Sequence, residues 1–162
     1  MWLAHVHLFI RLRRFVAKET FMFDLHPQLH ADTLHLGNWP LCHVALMNDK
    51  NYPWLILVPR RDDIVDIHEL ESEDQLQLIH EISVASAVLK EQFQAQKTNI
   101  AALGNMVPQM HVHVIARFHT DPAWPGPVWG KAPSIPYDAA DIHGITQRLT
   151  EALAKIKPFM AS

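Results

Sequence analysis

The stretch from Gln109 to Phe118, "QMHVHVIARF", constrains this chain more than any other. Polar and apolar residues alternate along it, and a period of two belongs to a strand, whose successive side chains point to opposite faces. Gln109, His111 and His113 are expected to stand in a row on one face, about 7 Å between neighbours. Met110, Val112 and Val114 would line the other. Such a strand needs partners. "WLILVP" (Trp54 to Pro59) is a continuous apolar run with β-branched residues, the pattern of a buried strand. "LCHVALMN" (Leu41 to Asn48) reads as a strand joined to it by the polar turn "DKNYP", which makes a hairpin. "TLHLGNW" (Thr33 to Trp39) reads as a strand ended by Pro40. "NIAAL" (Asn99 to Leu103) reads as a third core strand, and Gly104-Asn105 turns into the histidine strand, the last of a meander.

The rest of the pattern is helical or irregular. Ser72 and Gln75 have the spacing of a capping box, with Glu71, Glu73 and Asp74 at the positive helix end. Leu76, Ile79, Ile82, Leu89 and Phe93 then follow a helical period. A short helix or turn is expected between Leu25 and His35. A C-terminal helix from about Asp138 to Lys157 is expected from Ile142, Ile145, Leu149, Leu153 and Ile156. Between them, "DPAWPGPVWGKAPSIP" (Asp121 to Pro136) is too rich in Pro and Gly for a regular helix or a central strand. Its two tryptophans, Trp124 and Trp129, either anchor the loop on the core or cover a ligand. The fold class expected is α+β, with one long helix packed on an antiparallel sheet and a C-terminal helix added.

With 162 residues, 49% of them hydrophobic, the chain suits one domain with a real core. A net charge of -3 excludes a broad basic surface for nucleic-acid polymers, though not a local site for a small anion. The single cysteine, Cys42, cannot form a disulfide within the chain, which points to a reducing compartment, the cytoplasm. No run approaches the ~18 apolar residues of a membrane span. At the start, the apolar stretch precedes Arg11, Arg13 and Arg14, the reverse of a secretory signal. Residues 1–21 therefore read as an extension outside the fold, with a basic amphipathic segment as the alternative. The domain is expected over 22–136, followed by the C-terminal helix over 137–162.

Three chemistries are open to the histidine row. Twelve histidines make about one His-x-His pair expected by chance, so the spacing alone is weak evidence. His5/His7 lies in the extension, whereas His111/His113 has a strand, a glycine turn and a Trp/Pro-rich loop around it. A metal site needs a third protein ligand, and the nearest, His119, lies past the expected strand end. No metal or other cofactor is therefore expected. A serine hydrolase is excluded by the lack of a Gly-x-Ser-x-Gly elbow. The third chemistry is a histidine nucleophile. A neutral imidazole can attack phosphorus and split one displacement into two, provided fixed donors meet the developing charge.

At these residues the chain resembles the histidine triad (HIT) superfamily, whose hallmark is H-x-H-x-H followed by apolar residues. In "NMVPQMHVHVIAR" Val107 takes the valine position, Gln109 the first His, His111 the second and His113 the third. The resemblance extends over "VALMN", "WLILVPR" and the following helix. With "LGNWPLC", "NDKNYPW" and "AWPGPVWG", it looks like a bacterial branch often labelled diadenosine-tetraphosphate-hydrolase-like. The resemblance implies a five-stranded antiparallel sheet, a homodimer, and hydrolysis or transfer at the α-phosphate of a small nucleotide through a nucleotidyl-histidine. The substrate would be a nucleoside phosphoramidate or a dinucleoside polyphosphate. It also implies that His111 is the nucleophile and that His113 bonds phosphate oxygen. Asn48 would hold the ribose, and Asn105 and Asn99 would contact phosphate. Two positions depart from the pattern: Gln109 replaces the first His, and Trp54 stands where many members carry another His. Gln109 cannot take up a proton near neutral pH, so it is expected to orient a neighbouring group or backbone carbonyl. The alternatives are a nucleotide-binding protein with weakened catalysis and a His-x-His metal enzyme.

Overall fold

The computed structural model describes residues 23–156 and 158–162. The N-terminal extension lies outside the described residues. Helix α1 (Pro27–Asp32) leads into β1 (Thr33–Asn38), β2 (Cys42–Met47) and β3 (Trp54–Pro59). A short 3-10 turn (Ile67–Glu69) precedes α2 (Ser72–Phe93), followed by β4 (Lys97–Ala101), β5 (Val112–Arg117), α3 (Ala139–Ala154) and β6 (Met160–Ala161). The architecture is α+β, as the pattern implies. The sheet has six strands in the order β4-β5-β3-β2-β1-β6, every pair antiparallel.

Two features depart from a five-stranded meander. The two-residue β6 adds a sixth strand on β1. It approaches Gly37 so closely that a Cβ there would overlap the Met160 carbonyl oxygen and lie 2.6 Å from the Phe159 ring. The other feature is the position of β5, which enters between β3 and β4. All six residues of β5 are buried, while Lys97 and Ile100 of β4 are exposed. The strand with two covered faces takes the interior, and β4 is an edge strand, not a core strand.

One sheet face carries Leu36, Val44, Leu46, Leu55, Leu57, Val112, Val114 and Ala116, which pack with α2 and α3 into the main core. The buried stripe of α2 is Leu78, Ile82, Ala85, Val88 and Leu89. Leu76 and Ile79, expected on that stripe, are 74% and 59% exposed. The stripe of Leu76 and Ile79 runs on into Ser83, Ser86 and Lys90, whereas that of Leu78 and Ile82 stays apolar through Ala85, Val88 and Leu89. Glu81, buried on the same side, accepts the Leu41 and Cys42 amides with its two oxygens, both at 2.9 Å. The expected capping box is also absent. Ser72 is the first helical residue, Glu71 stands at the cap, and the Gln75 amide donates to the Leu70 carbonyl at 2.8 Å.

The opposite face of the sheet holds Trp54, Ile56, Val58 and Ile115 with Tyr52, Val107, Ala123 and Val128. The loop after β5 closes over this face. Among the described residues no helix is long and apolar enough to cross a membrane.

Candidate active site

β5 begins at Val112, so Gln109, Met110 and His111 form its extended lead-in rather than the strand itself. Its neighbours set the register: His113 lies opposite Ile56 of β3 and Ala101 of β4. His111 and His113 come together with ring centroids 4.9 Å apart and planes at 69°. Both are buried. Trp54 and Trp129 meet the His113 ring at 5.3 and 5.5 Å, and each other edge-on at 6.0 Å.

Hydrogen bonds give each imidazole one defined nitrogen. His111 Nδ1 lies 2.7 Å from the Gln109 carbonyl oxygen. A carbonyl can only accept, so Nδ1 carries the proton, and the neutral ring has its lone pair on Nε2. His113 is the reverse case in function. Its Nδ1 accepts the Trp54 indole N–H at 3.1 Å, which leaves the proton on Nε2. Burial first, and then the neighbouring His111, push the His113 pKa down to about 4. With both rings neutral, the pair presents one nitrogen lone pair beside one N–H donor. Neither Nε2 is among the sealed, unpartnered atoms of the interior.

The clefts around the pair differ in character. His111 lines one of about 380 Å³ with Gln75, Leu103 and Gly104. Trp54 and Trp129, which touch His113, wall another of about 450 Å³ with Met47, Asn48 and Asp49. A larger cleft of about 670 Å³ lies elsewhere, between α3 and the His35/His43 end of the sheet. Size alone thus does not locate the chemistry.

The remaining expected residues are placed as follows. The Gln109 side chain reaches the N-terminal segment, donating to the Asp24 carbonyl and accepting from the His26 amide, both at 2.9 Å. Asn48 follows β2 and opens on the aromatic cleft, with its Oδ1 accepting from the Tyr137 amide at 2.9 Å. Asn99 shares the face of His113 on β4, but its Oδ1 accepts from Arg117. Asn105 is exposed in the turn after Gly104 and lines neither cleft. Among the described residues no three His, Cys, Asp or Glu side chains come together as a metal-ion site.

Comparison with known proteins matches this architecture. The HIT domain family model matches residues 28–120. The chain belongs to the HIT domain family. A histidine triad protein from Marinobacter aquaeolei is 50% identical, with a TM-score of 0.80 over 83% of this chain and 98% of that one. A histidine triad protein from Bradyrhizobium japonicum is 48% identical, with a TM-score of 0.78 over 80% of this chain and 97% of that one. A third, from Sinorhizobium meliloti, is 45% identical with a TM-score of 0.78, over 80% and 96%. No curated protein matches the chain.

Within this HIT domain, two contacts were not legible from the motif. One is the bond from Trp54 to His113. The other is an ion pair on the same face, Arg117 with Asp121, each side chain 1% exposed. Arg117 donates to both Asp121 oxygens, at 2.7 and 3.1 Å, and to the Gly126 carbonyl at 2.9 Å. Asp121 also accepts the Phe118 and Ala123 amides, both at 3.0 Å. The pair thus fastens the Trp/Pro-rich loop whose Trp129 rests on His113. The i, i+4 spacing of Arg117 and Asp121 was a visible signal, but their burial was not.

Proposed function

We propose that this HIT protein hydrolyses or transfers at the α-phosphate of a small nucleotide, with His111 as nucleophile. The observation that carries the reading is the bond from His111 Nδ1 to the Gln109 carbonyl, which leaves Nε2 as the reactive lone pair. Nε2 attacks the α-phosphorus, a P–N bond forms, and the bond to the leaving group breaks with its electron pair. Water then attacks the same phosphorus, the P–N bond breaks, and the nucleotide is released. The His113 Nε2–H meets the charge that develops on a phosphate oxygen. The aromatic cleft beside Asn48 suits a nucleoside, with Trp54 and Trp129 as its apolar walls. Asn99 is a secondary phosphate contact in this reading, with its Nδ2 amide group left over by Arg117, whereas Asn105, outside both clefts, takes no part in it. A homodimer belongs to the same reading, supported by β4, an edge strand among the described residues, where Ile100 is 51% exposed.

A second reading, nucleotide binding with weakened turnover, draws on Gln109. Its amide is already committed to Asp24 and His26, and like Trp54 it has no proton to give a leaving group. Rapid-quench mass spectrometry with a dinucleoside polyphosphate and a nucleoside phosphoramidate separates the two. A covalent nucleotidyl adduct, absent in His111→Ala, is the expected result. A reversible complex without adduct on either substrate moves the protein to the binding class, and an adduct that survives His111→Ala overturns the nucleophile.

A further inference from the structure

We propose that Trp54 is a positioning residue whose indole N–H, donated to His113 Nδ1, holds His113 as the Nε2–H tautomer and so makes it a fixed, uncharged donor. Its use toward a phosphate oxygen rests on the nucleotidyl-transfer reading; the tautomer lock does not. The geometry is specific. An indole has one donor and no acceptor, so only a ring nitrogen with a lone pair can meet it. A protonated imidazole has no such nitrogen. The 3.1 Å bond from Trp54 to His113 therefore exists only in the neutral Nε2–H form.

The indole is itself held in place. It is 6% exposed, with Tyr52 and Trp129 edge-on at 6.4 and 6.0 Å. The elements around His113 supply no counter-charge that would favour protonation. β3 faces it with Trp54 and Ile56, β4 with Ala101, the loop with Trp129, and its own lead-in with His111. Of these only His111 is ionisable, and its presence disfavours a charge on His113. Two charges on this face, Arg117 and Asp121, are paired with each other. A histidine at position 54 would titrate in the physiological range, whereas an indole does not. The lock is therefore independent of pH on the Trp54 side.

Imidazole 15N NMR titration of the intact protein tests this without substrate. Wild type is expected to show His113 as one Nε2–H tautomer, with a midpoint near 4. In Trp54→Phe the ring is kept and the donor is lost. The midpoint is then expected to rise by roughly one unit, with both tautomers populated. The same variant should move the acid limb of adduct formation upward, a change that loss of packing alone would not produce. His43, at the far end of the sheet face, serves as the folding control. If its signal shifts, replacing Trp54 by benzothienylalanine, which keeps the shape and swaps N–H for sulfur, decides the matter. An unchanged His113 midpoint and tautomer in the benzothienylalanine protein overturns the proposal. If the midpoint moves while wild type forms no adduct, the lock stands and the catalytic reading falls.

Discussion

One face of the sheet carries two histidine pairs, and they differ in exposure as well as in geometry: His35 is exposed, whereas His43, His111 and His113 are buried. His35 and His43 stack face to face, 4.2 Å apart and 6° from parallel. His111 and His113 meet edge-on at 4.9 Å. His113, Ile56, Ala45 and His35 lie in one cross-strand row, so the pairs are three strand spacings apart, about 14 Å. His43 and His113 are both pushed down to about 4, and burial is the first cause in each. A depressed pKa therefore does not single out a site. What separates the pairs is the fate of their nitrogens. In the first pair only His35 has a tied nitrogen, Nε2 donating to the Gly37 carbonyl at 3.1 Å, while His43 Nε2 is sealed and has no partner. His111 and His113 each have one nitrogen tied to the protein, at Gln109 and Trp54, and the other outside the sealed set. Two adjacent rings that both have a defined tautomer and an open nitrogen make a candidate for chemistry; a pair with a sealed orphan does not.

The largest effect expected from this contrast is on reactivity. His111→Ala should abolish nucleotidyl-adduct formation, a loss of at least ~10³-fold. His43→Leu should leave the rate within about twofold. Rapid-quench kinetics on both variants checks this, and comparable losses would erase the distinction between the pairs.

Next in size is the ion pair behind the second region. Arg117→Ala would strand the Asp121 carboxylate, which is 1% exposed, and should cost about 3–5 kcal/mol in denaturant unfolding. The double change Arg117→Met with Asp121→Leu should cost much less, because no buried charge is left alone. Equal costs would mean that the pair holds the loop by packing rather than by charge.

The pH dependence of stability should register both pairs together. His43 and His113 stay neutral in the fold to about 4, while in the unfolded chain they protonate near 6.5. The unfolded state thus binds more protons between these values. Stability should be full above 6.5 and fall as pH drops toward 4, by up to about 1.4 kcal/mol per pH unit for each group. Chemical denaturation across pH 4–7 measures the slope. His43→Leu should remove its share and leave that of His113.

The smallest effect is at Gln109. Gln109→Ala frees the Asp24 carbonyl and the His26 amide, which water can reach, and should cost about 1 kcal/mol. Thermal unfolding compared with Gln109→Glu would separate loss of the bonds from loss of the side chain's bulk.

The strands were readable because alternation and apolar runs record burial directly. Trp54 to Pro59 forms β3 as expected, and β5 begins three residues after Gln109. The start of the α2 stripe was misread, because Leu76/Ile79 and Leu78/Ile82 both sit at helical spacing. The buried stripe is the one that runs on into Ala85 and Leu89 rather than into Ser83, Ser86 and Lys90, and Glu81 adds its bonds to the Leu41 and Cys42 amides on that side. The order of β4 and β5 in the sheet was likewise hidden, since short strands record their own burial and not their neighbours.

By itself the sequence determined an α+β chain with a histidine motif on a sheet face, because side-chain period and residue type are local properties. Tertiary structure alone decided which His113 nitrogen is protonated. That tautomer depends on a group far away in the chain, and Trp54 meets His113 across 59 residues only because β3 and β5 pair. It also decided that Arg117 is buried, since a guanidinium enters the interior only where Asp121 and the loop carbonyl of Gly126 are already in place to receive it.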